Sequence, residues 1–362
     1  MARELGLIAL ESAIHSGQKV DKILEKWRGK SFLIPCECPR FNSGEAKGLI
    51  KESVREKDVY IMVDICNSSL TYQMDGSSNR MSPDDHYQDL KRIIAACNDK
   101  ADRISVIMPF LYEGRQHRRT MRESLDCAVM LQELRQMGVH NLVTFDAHDP
   151  RMHNVNPIGS LENISPALQF TQGLLTEYED IQIDSEHLMF IAPDEGATDR
   201  VIFLATLYGV NIGMFYKRRD YTQIVDGKNP IIAHEFCGGF PQGMDAIVVD
   251  DMIDSGGSIL DVCKQLKDRG VKRVFIFSTF GLFTRGFDKF DEAYAKGEFD
   301  RIFTTNLIYQ KPELLAKEYY FSINMDRYIA AIIDTLNKGN SIQSLTKPAD
   351  KIIDMIRSYK GM

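Results

Sequence analysis

The sequence predicts an α/β protein of two similar doubly wound domains, with mainly parallel sheets and flanking helices. Short apolar runs typical of buried strands alternate at least five times with apolar-periodic segments typical of helices. The alternation occurs in both halves, and 362 residues exceed what one compact core of average size takes up. The turn-rich stretch 154–165 sets the predicted boundary, which gives domains 1–165 and 166–362.

The first half begins with residues 4–27, whose apolar spacing predicts a loosely helical opening that ends at Gly29. The elements predicted after it are a strand-like run over 32–34, a strand over 59–63, an exposed insertion over 67–83, a helix over 85–97, a strand over 104–109, a helix over 123–137 and a strand over 141–145.

The second half repeats this order and adds a segment, 220–239, whose lack of period predicts a mobile flap. The other predicted elements are a strand over 188–192, a helix over 198–208, strands over 211–216 and 246–249, a helix over 260–269, a strand over 273–279 and a helix over 324–337.

Composition excludes several classes of function. A net charge of −7 does not supply the basic surface that general nucleic-acid binding needs. Seven cysteines without paired Cys-x-x-Cys elements favour neither a zinc site nor a disulfide framework, so a reduced, cytoplasmic protein is expected. We also expect neither a signal peptide nor a membrane segment, since no apolar stretch is long enough.

The stretch 246–260 is the strongest functional motif. An apolar strand is closed by two adjacent carboxylates, and a Ser-Gly-Gly-Ser turn then leads into a helix. Such a turn presents backbone N–H groups to a phosphate, and the carboxylates can hold ribose hydroxyls. An ordinary loop with a helix N-cap is the alternative interpretation. The residues concerned are Asp250, Asp251, Asp254, Ser255, Gly256, Gly257 and Ser258.

Cationic runs follow two other predicted strands. Residues 115–119 and 217–219 are rich in Arg and Lys, and each run comes after a strand at the edge where open sheets bind ligands. A polyanion site and a solvated surface both fit these runs. Asp146 and His148 end a further strand. Two interpretations of this strand end are open: a ligand of a metal or phosphate, or a histidine with a purely structural role.

From about residue 39 to 345 the chain resembles, in collinear order, the ribose-phosphate diphosphokinases, also called phosphoribosyl pyrophosphate synthetases, of the type I phosphoribosyltransferase fold. Loop 40–45 resembles the family's adenine-binding Arg-Phe-Ser-Asp-Gly-Glu. Residues 217–219 match its Lys-Arg-Arg, and 193–196 resemble its Pro-Asp-x-Gly. The motif 250–258 matches its ribose 5-phosphate loop, with serines in place of threonines.

The resemblance implies a role for each motif. Phe41 would stack on adenine, and Lys217 and Arg219 would be catalytic. Mg²⁺ would be held by His148 and Asp194, and ribose 5-phosphate by the residues of 250–258. The ATP-binding set implied is Phe41, Ser43, Glu45, Arg115, Gln116 and His148.

The implied activity is transfer of the diphosphoryl group of ATP to the C1 hydroxyl of ribose 5-phosphate. The implied products are 5-phosphoribosyl 1-diphosphate and AMP, made for nucleotide biosynthesis by a homo-oligomer, by resemblance a hexamer. His117 and Ser43 each stand where the family has Asp. These departures weigh for the alternative of a non-catalytic, synthetase-associated regulatory subunit. A phosphoribosyltransferase, which would share only the 250–258 loop, is a more distant alternative.

Overall fold

The computed structural model describes residues 3–98, 100–119, 121–155, 159–219, 231–239 and 241–361, with the backbone alone for 217–219 and 231–234. Sixteen strands lie in these ranges: β1 (Glu4–Ala9), β2 (Cys36–Glu37), β3 (Leu49–Ile50), β4 (Lys57–Met62), β5 (Thr71–Met74), β6 (Ser77–Arg80), β7 (Arg103–Ile107), β8 (Val139–Phe145), β9 (Ser160–Ile164), β10 (Leu188–Ala192), β11 (Asn211–Arg219), β12 (Ile231–Gly238), β13 (Asp245–Ile253), β14 (Arg273–Gly281), β15 (Arg301–Thr305) and β16 (Tyr320–Ile323).

Helices separate most of these strands, and short 3-10 turns at Glu11–Ala13, Pro150–Val155 and Glu195–Ala197 join some of them. The described α-helices are α1 (Ile14–Arg28), α2 (Pro83–Cys97), α3 (Asp126–Gln136), α4 (Ala167–Glu177), α5 (Thr198–Tyr208), α6 (Gly257–Asp268), α7 (Asp288–Ala295), α8 (Pro312–Leu315), α9 (Asp326–Asn337), α10 (Gln343–Thr346) and α11 (Ala349–Tyr359).

The first of two structural units, unit 1, comprises Met1–Pro166, Asn306–Tyr309 and Asn324–Lys347. Its sheet has five parallel strands in the order β1-β4-β7-β8-β9. The strands are nearly continuous apolar runs, as parallel strands covered on both faces require. Helix α9 comes from late in the chain, so the units are not two consecutive halves.

Unit 2 comprises Ala167–Thr305, Gln310–Ile323 and Pro348–Met362. Its seven strands follow the order β12-β11-β10-β13-β14-β15-β16. All neighbouring strands are parallel except β11 and β12, so the antiparallel pair forms one edge of the sheet. Both units therefore have the predicted α/β architecture, with mainly parallel sheets.

Five local predictions differ from the structure. Residues 4–9 form strand β1 rather than the start of a helix, and the run 32–34 contributes only a bridge between Leu33 and Leu7. The insertion 67–83 contains the antiparallel hairpin β5–β6. The predicted flap includes strand β12, while residues 220–230 and 240 lie outside the described residues. The predicted strand 246–249 continues through the acidic pair to Ile253.

A buried ion pair joins two neighbouring strands of unit 1. Asp58 of β4 lies opposite Arg103 of β7, and the guanidinium donates from Nε and Nη2 to the two carboxylate oxygens at 2.7 and 2.6 Å. The hydroxyl of Tyr60 and the amide of Asn337 also donate to Asp58. Every charge of this buried group is therefore matched by a hydrogen-bond partner.

Among the described residues, no helix combines the length and apolar character that crossing a membrane requires.

Replacing Asp58 by alanine should lower the free energy of unfolding by about 3–5 kcal/mol, because the Arg103 guanidinium loses its buried counter-ion. The measurement is urea denaturation followed by circular dichroism. Asp102→Ala is the matched control, since Asp102 pairs with Arg3 on the surface, and its loss should cost less than about 1 kcal/mol. Equal effects of the two substitutions would contradict the importance given to the buried pair.

Candidate active site

The acidic pair of unit 2 lies at the carboxyl end of β13, between the parallel strands β10 and β14. Asp251 is buried, and its backbone N–H donates to Asp250 Oδ1 at 2.9 Å. Burial raises the pKa of Asp250 well above its usual value, and the negative charges of Asp251 and Asp194 raise it further. The three carboxylates form a negatively charged cluster at the edge where parallel sheets bind ligands.

Arg200 on helix α5 lies next to this cluster and carries the opposite charge. Its Nη2 lies 4.0 Å from Asp251 Oδ2, and its side chain is largely buried. Asp194 follows strand β10 and accepts a hydrogen bond from the backbone N–H of Gly196 at 3.0 Å. The structure thus brings Asp194 to the same group of carboxylates as Asp250 and Asp251, although the sequence separates them widely.

The turn after β13 has the geometry of an anion-binding loop. Gly256 has a φ of +80°, which favours glycine, and a Cβ there would lie 2.2 Å from the ring of Phe290. Asp254 is held by Thr284, whose hydroxyl donates to Asp254 Oδ1 at 2.6 Å. Helix α6 starts at Gly257, so its first N–H groups face the turn.

Ser255 and Ser258 are exposed on this turn, so their hydroxyls are open to a ligand. At Gly257, in contrast to Gly256, a Cβ would meet no atom within 4 Å. Only Gly256 of the two adjacent glycines is therefore demanded by the local geometry. Gly257 leaves space beside the first turn of α6.

Lys217 and Arg219 belong to strand β11, where Lys217 pairs with His234 of β12 and the register shifts between Arg218 and Arg219. Their side chains lie outside the described residues. The catalytic role expected for both residues therefore stays a prediction.

In unit 1, loop 40–45 is a tight turn closed by a bridge between Arg40 and Ala46. The N–H of Phe41 donates to the carbonyl of Glu45 at 2.7 Å, and the Phe41 ring is 54% exposed. Ser43 donates from its hydroxyl to Glu45 Oε2 at 2.9 Å. The loop thus presents an exposed aromatic ring beside a carboxylate that a neighbouring hydroxyl orients.

Arg40 anchors this loop to helix α2. Its Nη2 donates to Asp89 Oδ2 at 2.9 Å, and both side chains are about nine-tenths buried. Asp89 also accepts from Arg92 at 2.6 Å. A charge-assisted bond of this kind, largely shielded from water, fixes one end of the loop firmly.

The other nucleotide-site residues expected in unit 1 lie after strands β7 and β8. Arg115 is exposed, and the Gln116 amide donates to the carbonyl of Ser124 at 3.1 Å. His148 is exposed, and its ring centroid lies 5.4 Å from that of His117. The carboxyl ends of neighbouring parallel strands therefore bring the 115–117 segment and His148 together.

His117 has a defined partner. Its Nε2 lies 3.4 Å from Asp149 Oδ2, and its buried Nδ1 has no hydrogen-bond partner among the described residues. Arg151 donates to both oxygens of Asp149 and lowers the pKa of that carboxyl to about 2. Asp149 therefore carries a negative charge beside His117 across the whole neutral range.

No group of three or more His, Cys, Asp or Glu side chains within the described ranges is spaced to hold a metal ion. The carboxylates of Asp194, Asp250 and Asp251 are nevertheless oxygen donors of the type that Mg²⁺ prefers. Their repulsion, which raises the pKa of Asp250, is relieved by a cation. Of these three, Asp194 lies outside the acidic pair and has the donor chemistry of a magnesium ligand, whereas the His148 nitrogen fits magnesium less well.

Sequence reasoning missed several residues that shape these sites. Arg200 and Thr284 carry no motif and meet their partners only through the fold. The hairpin β5–β6, which contacts loop 40–45, was signalled by the Asp-Gly pair at 75–76, a strong marker of two-residue turns.

Comparisons with known proteins agree with this geometry. Residues 5–138 match the family model of the N-terminal domain of ribose phosphate pyrophosphokinase, and residues 224–347 match that of the phosphoribosyl synthetase-associated domain. The ribose-phosphate pyrophosphokinase of Vibrio parahaemolyticus is 26% identical over 310 residues, covering 84% of this chain and 89% of that protein. That of Burkholderia pseudomallei is 25% identical over 332 residues, covering 91% and 93%.

A solved structure supports the fold independently. The phosphoribosylpyrophosphate synthetase from Mycobacterium smegmatis superposes with a TM-score of 0.76 at 20% identity, covering 93% of this chain and all of that one. The two family models together match well over half of the chain, in the order expected for one protein. The chain belongs to the ribose-phosphate pyrophosphokinase family.

Proposed function

We propose that this chain transfers the diphosphoryl group of ATP to the C1 hydroxyl of ribose 5-phosphate, giving 5-phosphoribosyl 1-diphosphate and AMP. The observation that carries the proposal is the end of β13, where paired carboxylates precede a turn that requires glycine at Gly256. A sugar phosphate matches both parts, because its hydroxyls donate to carboxylates and its phosphate accepts from backbone N–H groups.

Unit 2 binds the acceptor of the reaction, ribose 5-phosphate. Asp250 and Asp251 orient the ribose hydroxyls, and residues 254–258 hold the 5-phosphate. The hydrogen bond from Thr284 to Asp254 supports this role, since it fixes the start of the turn. The C1 hydroxyl is a weak nucleophile, so orienting it toward the β-phosphorus of ATP is a large part of the catalysis that this site provides.

The donor half uses residues of unit 1. Phe41 stacks on adenine, Ser43 and Glu45 contact the nucleotide beside it, and Arg115, Gln116 and His148 meet the phosphates or the ribose of ATP. The exposure of the Phe41 ring supports its role, since a large apolar side chain without cover is available for stacking.

Asp194 and His148 would each serve as a magnesium-binding residue, and magnesium would neutralise charge on the ATP phosphates when bound. Asp194 fits this role because its carboxylate already shares a negative cluster with Asp250. Lys217 and Arg219 would meet the charge that develops on the transferred group and on the leaving AMP.

The transfer forms a bond from the C1 oxygen to the β-phosphorus of ATP. It breaks the bond from that phosphorus to the oxygen shared with the α-phosphorus, so AMP leaves with the electron pair and the hydroxyl proton passes to solvent. The described residues contribute by binding and aligning the two reactants. We further propose a cytoplasmic location, in keeping with seven free cysteines, and a homo-oligomeric state.

The direct test incubates the purified chain with ATP, ribose 5-phosphate and Mg²⁺ and measures AMP by chromatography. We expect AMP and 5-phosphoribosyl 1-diphosphate in equal amounts, and no AMP when ribose 5-phosphate is omitted. Absence of both products over a range of phosphate and nucleotide concentrations would overturn the enzyme assignment in favour of a non-catalytic subunit.

Asp251→Asn should raise the KM for ribose 5-phosphate about tenfold or more, because a buried carboxylate that accepts ribose hydroxyls loses its charge. The KM for ATP should stay within about twofold. Steady-state kinetics with each substrate varied gives both values. Asp261→Asn on helix α6 is the control with the same change of charge at an exposed position, and it should behave like the wild-type chain.

Lys217→Ala should slow turnover by roughly two orders of magnitude with little change in either KM, since it removes a charge that acts mainly in the transition state. Single-turnover rates with saturating substrates measure this effect. Lys264→Ala removes a comparable charge from an exposed site and should be neutral. A near-normal rate for the Lys217 variant excludes this side chain from the mechanism.

A further inference from the structure

The hairpin β5–β6 lies in segment 67–83, which the sequence predicts to be an exposed insertion. Asp75 and Gly76 both have positive φ values, 50° and 74°, as a two-residue hairpin turn of this hand requires. The N–H of Met81 donates to the carbonyl of Leu70 at 3.0 Å and closes the base of the hairpin. The hairpin is thus a complete local unit whose two ends meet.

One face of the hairpin packs on loop 40–45. The guanidinium carbon of Arg40 lies 4.9 Å from the centre of the Tyr72 ring. The backbone N–H of Asp75 donates to the carbonyl of Asn42 at 3.1 Å. A Cβ on Gly44 would lie only 2.6 Å from the sulfur of Met74. The hairpin therefore contacts the loop at three places along its length.

The alternation along β5 separates the two faces of the hairpin. Tyr72 and Met74 are half-buried and contact the loop, whereas Thr71 and Gln73 are exposed. Arg40 is consequently held from two sides, by Asp89 through its charge and by Tyr72 through its flat face. Phe41 follows directly in the chain, so the direction of its exposed ring depends on how Arg40 is fixed.

We propose that hairpin β5–β6 is a positioning element for the nucleotide base: it holds loop 40–45 so that the Phe41 ring is already oriented for stacking. This inference rests on the proposed function, which supplies the adenine. An exposed aromatic ring on a free loop must be ordered when the ligand binds, and that ordering weakens binding. The hairpin orders the loop beforehand and so tightens the binding of ATP.

The test compares two variants. In the first, residues 71–80 are replaced by Gly-Gly, a short link that the Leu70–Met81 hydrogen bond allows. In the second, Tyr72→Leu removes the flat face under Arg40 while it keeps an apolar side chain. Gln73→Ala, on the exposed face of the same strand, is the matched control. Thermal melting checks that each variant is folded, and the second variant serves if the first is not.

The dissociation constant for ATP, measured by calorimetry without ribose 5-phosphate, should rise about tenfold in both variants, as expected when a side chain and its loop must be ordered on binding. The Gln73→Ala value should equal that of the wild-type chain. Trypsin should cleave faster after Arg40 in both variants, since that side chain is less firmly held. The KM for ribose 5-phosphate should stay within about twofold.

Unchanged ATP affinity and unchanged cleavage in both folded variants would overturn the inference. A chain that makes no AMP but binds ATP in a hairpin-dependent manner keeps the inference and loses the proposed function. If the chain makes AMP but its affinity for ATP does not depend on the hairpin, the proposed function stands and the inference is overturned. A wild-type chain that binds no ATP overturns both.

Discussion

Each sheet depends on an aspartate–arginine pair that joins two central strands at their amino ends. In unit 1 Asp58 pairs with Arg103, and in unit 2 Asp245 pairs with Arg273 through bonds of 2.9 and 2.6 Å. In both units the two partners lie opposite each other in register. Because two bonds in a fixed plane tolerate no slip, the pair sets the alignment of the strands and so of everything at their carboxyl ends.

Because the two pairs lie at equivalent positions in their sheets, the carboxyl ends of β4 and β13 can be compared. Six residues after the paired aspartate, unit 2 has Asp251 and unit 1 has Asp64. Asp64 is buried and accepts the N–H groups of Cys66 and Tyr309 at 2.9 and 2.6 Å, and burial raises its pKa to about 7. The Asp64 carboxylate binds backbone N–H groups of its own unit. Asp251, at the corresponding position, precedes the turn at Gly256. The carboxyl end of the strand thus serves structure in unit 1, whereas in unit 2 it leads into the turn at Gly256.

The sequence predicted the features that local chemistry encodes. Apolar runs indicated most strands, and the acidic pair with its glycine turn indicated a candidate sugar-phosphate site. Strand β1 was missed because its apolar residues run into helix α1 with only a 3-10 turn between them. The continuation of β13 to Ile253 was missed because adjacent carboxylates disfavour a strand in isolation, and pairing with β14 overrides that preference. Arg200 and Thr284 could not be predicted from the sequence, since only the tertiary fold brings them to the site.

The two departures from the family pattern in unit 1 are both accommodated by neighbours. His117 replaces an aspartate, yet it lies beside Asp149, whose carboxyl stays ionised through its bonds to Arg151. Negative charge is therefore kept in this region and carried by a different residue. Ser43 also replaces an aspartate, and its hydroxyl donates to Glu45, a carboxylate that the family pattern also has on this loop. A carboxylate therefore lies next to each replaced position, so neither departure by itself argues for the non-catalytic alternative.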